Sequence, residues 1–260
     1  MIRLTREVRL SLVPPENRLD VGTAANTWAG FPMAVGLAPF VCIRATLVGN
    51  VDEKTGYLCD IKSIEELLQV AMDRVIRSTT DLYSNPSALL TALGNEIPNE
   101  FVPGAECEEL QLIVSPYCRY TIRRESTDMV EYTEQFEFSA AHRLHSQELS
   151  DEENRAIFGK CNNPNGHGHN YVVEVTVRTH QRTFQATSRT HLLQTVKKTV
   201  IDRFDHKHLN LDTEEFRETN PTVENITKVV WELLCETLKP LELTEVKVYE
   251  TPKTWARVTR

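Results

Sequence analysis

The chain spells one order of elements twice, and that repetition limits its fold more than any other feature. "MIRLTREVRLSL" from residue 1 and "MVEYTEQFEFSA" from residue 129 share Met at the first place, Thr at the fifth and Ser at the eleventh. Both alternate as half-buried strands do. "FVCIRATLVG" (40–49) and "YVVEVTVRT" (171–179) follow as a second strand in each half. Helical spacing comes next. Ile61, Ile64, Leu67, Leu68, Ala71 and Val75 recur at three and four. In the second half Leu192, Leu193, Val196, Val200 and Phe204 do so, then Val223, Ile226, Val229, Val230, Leu233 and Leu234. "SNPSALLTAL" and "TNPTVENITKVV" both open on Asn-Pro and a hydroxyl residue, a helix start with Ser87 or Thr222 as N-cap. Each half closes on two alternating segments with Pro116 or Pro252 at the turn. The order is β-β-α-α-β-β twice, an α+β fold. The seam falls at "RESTD" (124–128), giving domains 1–125 and 129–260. Segment 94–107, with two prolines and two glycines, reads as a loop.

Bulk properties narrow the function. Net charge is -8 over 260 residues, which speaks against nucleic acid as a partner, since that needs clustered Lys and Arg. No apolar run reaches the length of a membrane span. The first residues alternate charged and apolar, unlike a signal peptide. Six scattered cysteines without a C-x-x-C predict reduced thiols and a cytoplasmic location.

The chemistry concentrates in the second half. Of eight histidines the first is His142. In "GKCNNPNGHGHNY" (159–171), His167 and His169 stand two apart where a loop enters a strand, so both imidazoles share one face. Gly166 and Gly168 leave room near the backbone. Two such imidazoles are a partial zinc site, and a catalytic zinc takes a third protein ligand. His142, at the end of an alternating strand in "FSAAHRLHS", is the preferred third ligand, with His145 the other candidate. Cys161 lies among Lys160, Asn162 and Asn163, where a cation favours a thiolate. It reads as a base or nucleophile, against the commoner fate of a small half-buried apolar residue. Asp205 and His206 in "FDHKHLNLD" form a carboxylate–imidazole pair that could activate a thiol, or a polar helix end. Glu250 is either a solvated strand end or a carboxylate that accepts two N–H bonds from a flat heterocycle. The first half has "GLAPFV" opposite "GHGHNY" and Val114 opposite Glu250, so its copy carries no metal site.

"FSAAHRLHS", "SDEENRAIFGKCNNPNGHGHNY", "FDHKHLNLD", "NPTVEN" and "VKVYET" together resemble the 6-pyruvoyl-tetrahydropterin synthase family over about residues 129–260. The resemblance implies a T-fold, or tunnelling fold, in each half: a four-stranded antiparallel sheet with two helices on one face. Such units close into a β-barrel on oligomerisation. It implies a zinc lyase acting on 7,8-dihydroneopterin triphosphate, a pterin substrate. His142, His167 and His169 would hold Zn2+, Cys161 with Asp205 and His206 would move protons, and Glu250 and Thr222 would bind the pterin. The product would be 6-pyruvoyl-tetrahydropterin. A sister branch makes 6-carboxy-tetrahydropterin for queuosine, and it more often has a shorter gap between Cys and His-Gly-His. A non-catalytic pterin-binding scaffold is the third reading. The asymmetry of the halves predicts a homo-oligomer, most simply a trimer of two-domain chains.

Overall fold

The computed structural model describes residues 1–12, 40–78, 85–126, 128–184 and 186–260. They cluster into two compact units. One comprises Met1–Tyr132 with Thr179–Ala186, the other Thr133–Arg178 with Thr187–Arg260.

In the first unit, strands β1 (Ile2–Ser11), β2 (Phe40–Gly49), β4 (Ala105–Ser115) and β5 (Cys118–Arg123) lie in that order, all antiparallel. A short β3 (Glu100–Val102) pairs with β4. Alternation sets the buried face: Val41, Ile43, Ala45 and Leu47 point inward from β2. Against it stand helices α1 (Ile61–Ser78) and α2 (Pro86–Glu96). From α1, Ile64, Leu68, Ala71, Met72 and Val75 are buried, one face at helical spacing. Burial of each large apolar side chain contributes about 1.5–3 kcal/mol.

The second unit follows the same plan. Its strands are β6 (Met129–His142, its first four residues clustering with the first unit), β7 (His167–His180), β9 (Glu242–Thr251) and β10 (Thr254–Thr259). Helix α4 (Ala186–Val196) runs through a π-helical turn into α5 (Asp202–Phe204). After the short β8 (Lys207–His208), parallel to β6, and the one-turn α6 (Leu209–Asp212), helix α7 (Val223–Thr237) buries Val223, Ile226, Val230 and Leu234.

The registers of the two units coincide in detail. In the first, Cys42 pairs with Ile113, Thr46 with Glu109, and a bulge follows Thr46. In the second, Val172 pairs with Tyr249, Thr176 with Glu245, and a bulge follows Thr176. The closing turns match too, with Ser115 opposite Cys118 and Thr251 opposite Thr254. Thr5 and Thr46 join hydroxyls at 2.9 Å, as do Thr133 and Thr176.

Some local expectations need correction. The span 94–107 is not all loop, because it holds the end of α2, all of β3 and the start of β4. Asn85 rather than Ser87 caps α2: its side chain accepts from Ala88 N, and proline then occupies the first helical turn, where no donor is needed. Helix α3 (Asp151–Phe158) was unexpected, although Ser150 and Glu153 form a reciprocal capping box there. "GLAPFV" lies mostly outside the described residues.

Candidate metal centre

His142 is the last residue of β6, and His167 and His169 are the first and third of β7. The three imidazoles converge. His142 Nε2 and His167 Nε2 are 3.1 Å apart, and one ring nitrogen from each of the three lies within 4.8 Å of the others. Ring centroids are 4.5 to 5.1 Å apart. His142 is wholly buried and the other two are half-buried.

Ring orientation is defined at His142. Its Nδ1 sits 2.7 Å from the Pro221 carbonyl, which only accepts, so Nδ1 carries the hydrogen and Nε2 presents a lone pair. Among the described residues, His169 Nε2 is buried without a hydrogen-bond partner. Orphaned buried nitrogens normally cost free energy. A divalent cation removes that cost, and two ligands of a tetrahedral zinc at about 2.0–2.1 Å stand roughly 3.3 Å apart. The donor set therefore fits such an ion.

Burial pushes the His142 imidazole down to about 4, and His167 and His169 add to this. The His167 value is lowered as well, by burial and then by His169. Both rings are neutral at pH 7, the form a metal needs.

The loops that deliver these residues are tied together. Leu144 N donates to Cys161 O at 2.9 Å, and Asn162 Nδ2 donates to Leu144 O at 2.7 Å. Gly166 has φ +73°, and a Cβ there would stand 2.6 Å from His208 Nε2 and 3.0 Å from His142 O. Only glycine fits this turn, which aims His167. His145, the other candidate ligand, is absent from the triad; Asn162 Nδ2 lies 3.1 Å from its Nδ1.

The remaining candidates are placed as follows. Glu250, at the end of β9, brings Oε1 within 3.5 Å of His142 Nε2 and 3.7 Å of His169 Nε2. Cys161 occupies a 3-10 turn (Gly159–Asn162) and is half-buried. Asp205 accepts from Ser139 N through Oδ1 and holds His206 Nδ1 at 2.8 Å through Oδ2. The Ser139 amide is the main cause of the lowered Asp205 carboxyl, with His206 contributing. His206 adopts φ +58°, its N–H is bonded to Ser139 O, and its side chain is 84% exposed. No hydrogen bond or ion pair joins Cys161 to Asp205 or His206 among the described residues. Thr222 caps α7, accepting from Asn225 N at 3.3 Å.

Sequence reasoning passed over Tyr171, Pro221 and His208. Tyr171 is buried, its hydroxyl is 3.3 Å from His142 Nδ1, and burial raises its phenol, with Glu250 and Cys161 adding. Period-two spacing puts Tyr171 on the face of His167 and His169, so that signal was present.

The 6-pyruvoyl tetrahydropterin synthase family model matches residues 131–260. A 6-pyruvoyl tetrahydrobiopterin synthase of Homo sapiens is 48% identical over 118 residues, covering 44% of this chain and 80% of the human one. Its Drosophila melanogaster counterpart is 48% identical over 119 residues, covering 45% of this chain and 71% of its own. Among solved structures, Caenorhabditis elegans 6-pyruvoyl tetrahydropterin synthase is 38% identical, covering 51% of this chain and 96% of that one, with a TM-score of 0.46.

Proposed function

The chain belongs to the 6-pyruvoyl tetrahydropterin synthase family, and from that premise we propose that it is a zinc-dependent lyase converting 7,8-dihydroneopterin triphosphate to 6-pyruvoyl-tetrahydropterin and triphosphate. The observation that carries this reading is the convergence of His142, His167 and His169 on one point. Zinc bound there would polarise the substrate's side-chain hydroxyls and acidify the adjacent C–H. The chain's own residues do the rest. Glu250 anchors the pterin ring through its N–H groups, beside the triad. Cys161 moves the proton as thiolate and thiol. Asp205 holds His206 in one orientation, as a carboxylate does for an imidazole base. Thr222 stands at the start of α7, one residue from the carbonyl that meets His142.

His206 is exposed, in a left-handed conformation that costs a non-glycine residue free energy. It is unlinked to Cys161. Both facts support a proton relay completed by His206 of another copy, hence a homo-oligomer. The first domain is a copy of the same fold that has lost the chemistry. Shared bulges, turns and threonine pairs support that reading, and so does the lack of histidine before residue 142. We take residues 1–125 and 129–260 as the two T-fold domains, in a cytoplasmic protein.

Incubation of the zinc-loaded chain with 7,8-dihydroneopterin triphosphate tests the proposal. Release of triphosphate with formation of the pyruvoyl product is expected. Acetaldehyde release would assign the carboxy branch instead. Pterin binding without triphosphate release would leave only a scaffold.

A further inference from the structure

His142 is the one triad member that is fully buried, and its ring is oriented by a backbone carbonyl. That carbonyl belongs to Pro221, and the segment around it is built to hold it still. Thr222 N donates to Asn220 O at 2.8 Å, closing a three-residue turn with Pro221 at its centre. Proline suits that place, because the turn wants a φ near the value its ring imposes. Asn225 Nδ2 donates to the same Asn220 carbonyl at 2.8 Å. Asn220 Oδ1 accepts from His145 N at 3.2 Å, and Thr222 Oγ1 accepts from Asn225 N. The first turn of α7 is thus tied to the loop that follows β6. A mobile carbonyl would let His142 turn over and lose the Nε2 lone pair toward His167 and His169.

We propose that Thr222 and Asn225 are positioning residues for the metal, holding the Pro221 carbonyl on His142 Nδ1 so that Nε2 faces the other two imidazoles. Among the described residues no hydrogen bond or ion pair joins either side chain to the triad, and both act through one carbonyl. The inference rests on the reading of the triad as a zinc site. It gives the Asn-Pro-Thr-x-x-Asn run a role beyond helix capping and apart from pterin contact. Partners that orient a ligating histidine commonly set metal affinity by about 10- to 100-fold.

The test is zinc affinity of the full-length, metal-stripped chain, read by competition with a chromogenic chelator and with no pterin present. Asn225→Ala and Thr222→Ala should each weaken zinc by about 10-fold or more. Thr222→Ser, which keeps the hydroxyl, should bind nearly as the parent does. Val230→Ala hollows the core under the same helix without touching its cap. It should lower the melting temperature and leave zinc affinity unchanged. If Asn225→Ala does not fold, Asn225→Asp, of the same size but without the amide donor, asks the same question. Parent-like affinity in the cap variants would overturn the proposal, and so would an equal loss in Val230→Ala. Parent protein binding zinc no better than His169→Ala would overturn this inference and the metal-site reading together, an outcome distinct from failure of the cap variants alone.

Discussion

Residue by residue, the sequence exposes side chains with a chemistry of their own and hides backbone groups. His167 and His169 stand out because strand periodicity puts residues two apart on one face. His142 follows from the parity of β6. The Pro221 carbonyl could not be found this way, since every residue carries a carbonyl and only tertiary structure decides where it points. Cys161 tests the chemical reading. Cys161→Ala should fold, keep its zinc and lose roughly 100-fold or more in turnover, the scale of a general acid–base group. A near-parental rate would remove the thiol from the mechanism. His142 sets a pH dependence. Its folded value lies near 4 and its unfolded value near 6.5. Below about 6.5 the unfolded chain takes up a proton that the buried ring refuses. Stability of the metal-free protein is therefore full above that pH and falls as pH drops toward about 4, by at most about 1.4 kcal/mol per unit. His167 shifts in the same direction and adds to the slope. Thermal melts across this window check it, and His142→Asn should flatten the decline.

Among the elements, strands and long helices were legible because their periods persist over many residues. Short pieces were not. Helix α3 spans only eight residues, too short a window for an apolar helical period to stand out. The π-helical turn after α4 leaves no mark in an apolar pattern. Segment 94–107 misled because prolines and glycines mark turns, and two tight turns can flank a strand as short as β3. Helix α3 matters because it opens directly into the turn that carries Cys161. Asn154, fully buried, takes Ser146 N on its oxygen and donates to the carbonyls of Ser146, Leu149 and Ser150. Removing its side chain takes from Ser146 N and Leu149 O the bonds it makes, while Ser146 O keeps Leu149 N and Ser150 O keeps the backbone N–H of residue 154. Asn154→Ala should cost about 1–3 kcal/mol or more in denaturant unfolding. Ser150→Ala, losing an exposed cap bond, should cost about 1 kcal/mol. Equal losses would mean that Asn154 is not the residue holding this turn.

At the scale of the whole molecule, Thr5 with Thr46 and Thr133 with Thr176 form matching cross-strand pairs in the two halves, and the proposal of a repeat rests on such matches. The chemical difference between the halves was readable from histidine count alone. The sequence bears on assembly only through that asymmetry, because edges and faces left open by one chain carry no label for their partner. Zinc stoichiometry should be about one per chain, lost for the most part in His169→Ala; two equivalents would mean a second site elsewhere. The assembly prediction follows from the same asymmetry. Within the second unit, Asp205 and His206 are bonded to each other and to Ser139, and Cys161 is not among their partners. If Cys161 of one chain works with His206 of another, second domains must meet second domains. An alternating ring of first and second domains would leave each shared site incomplete. Three second domains around one ring, with first domains forming another, satisfy this and also close the sheet edges against stray pairing. Inactive Cys161→Ala chains mixed with inactive His206→Ala chains should then regain a fraction of parental turnover once subunits exchange, because mixed interfaces pair an intact thiol with an intact imidazole. Proven exchange without recovery, or an active monomer by light scattering, would show that the proton relay is completed within a single chain.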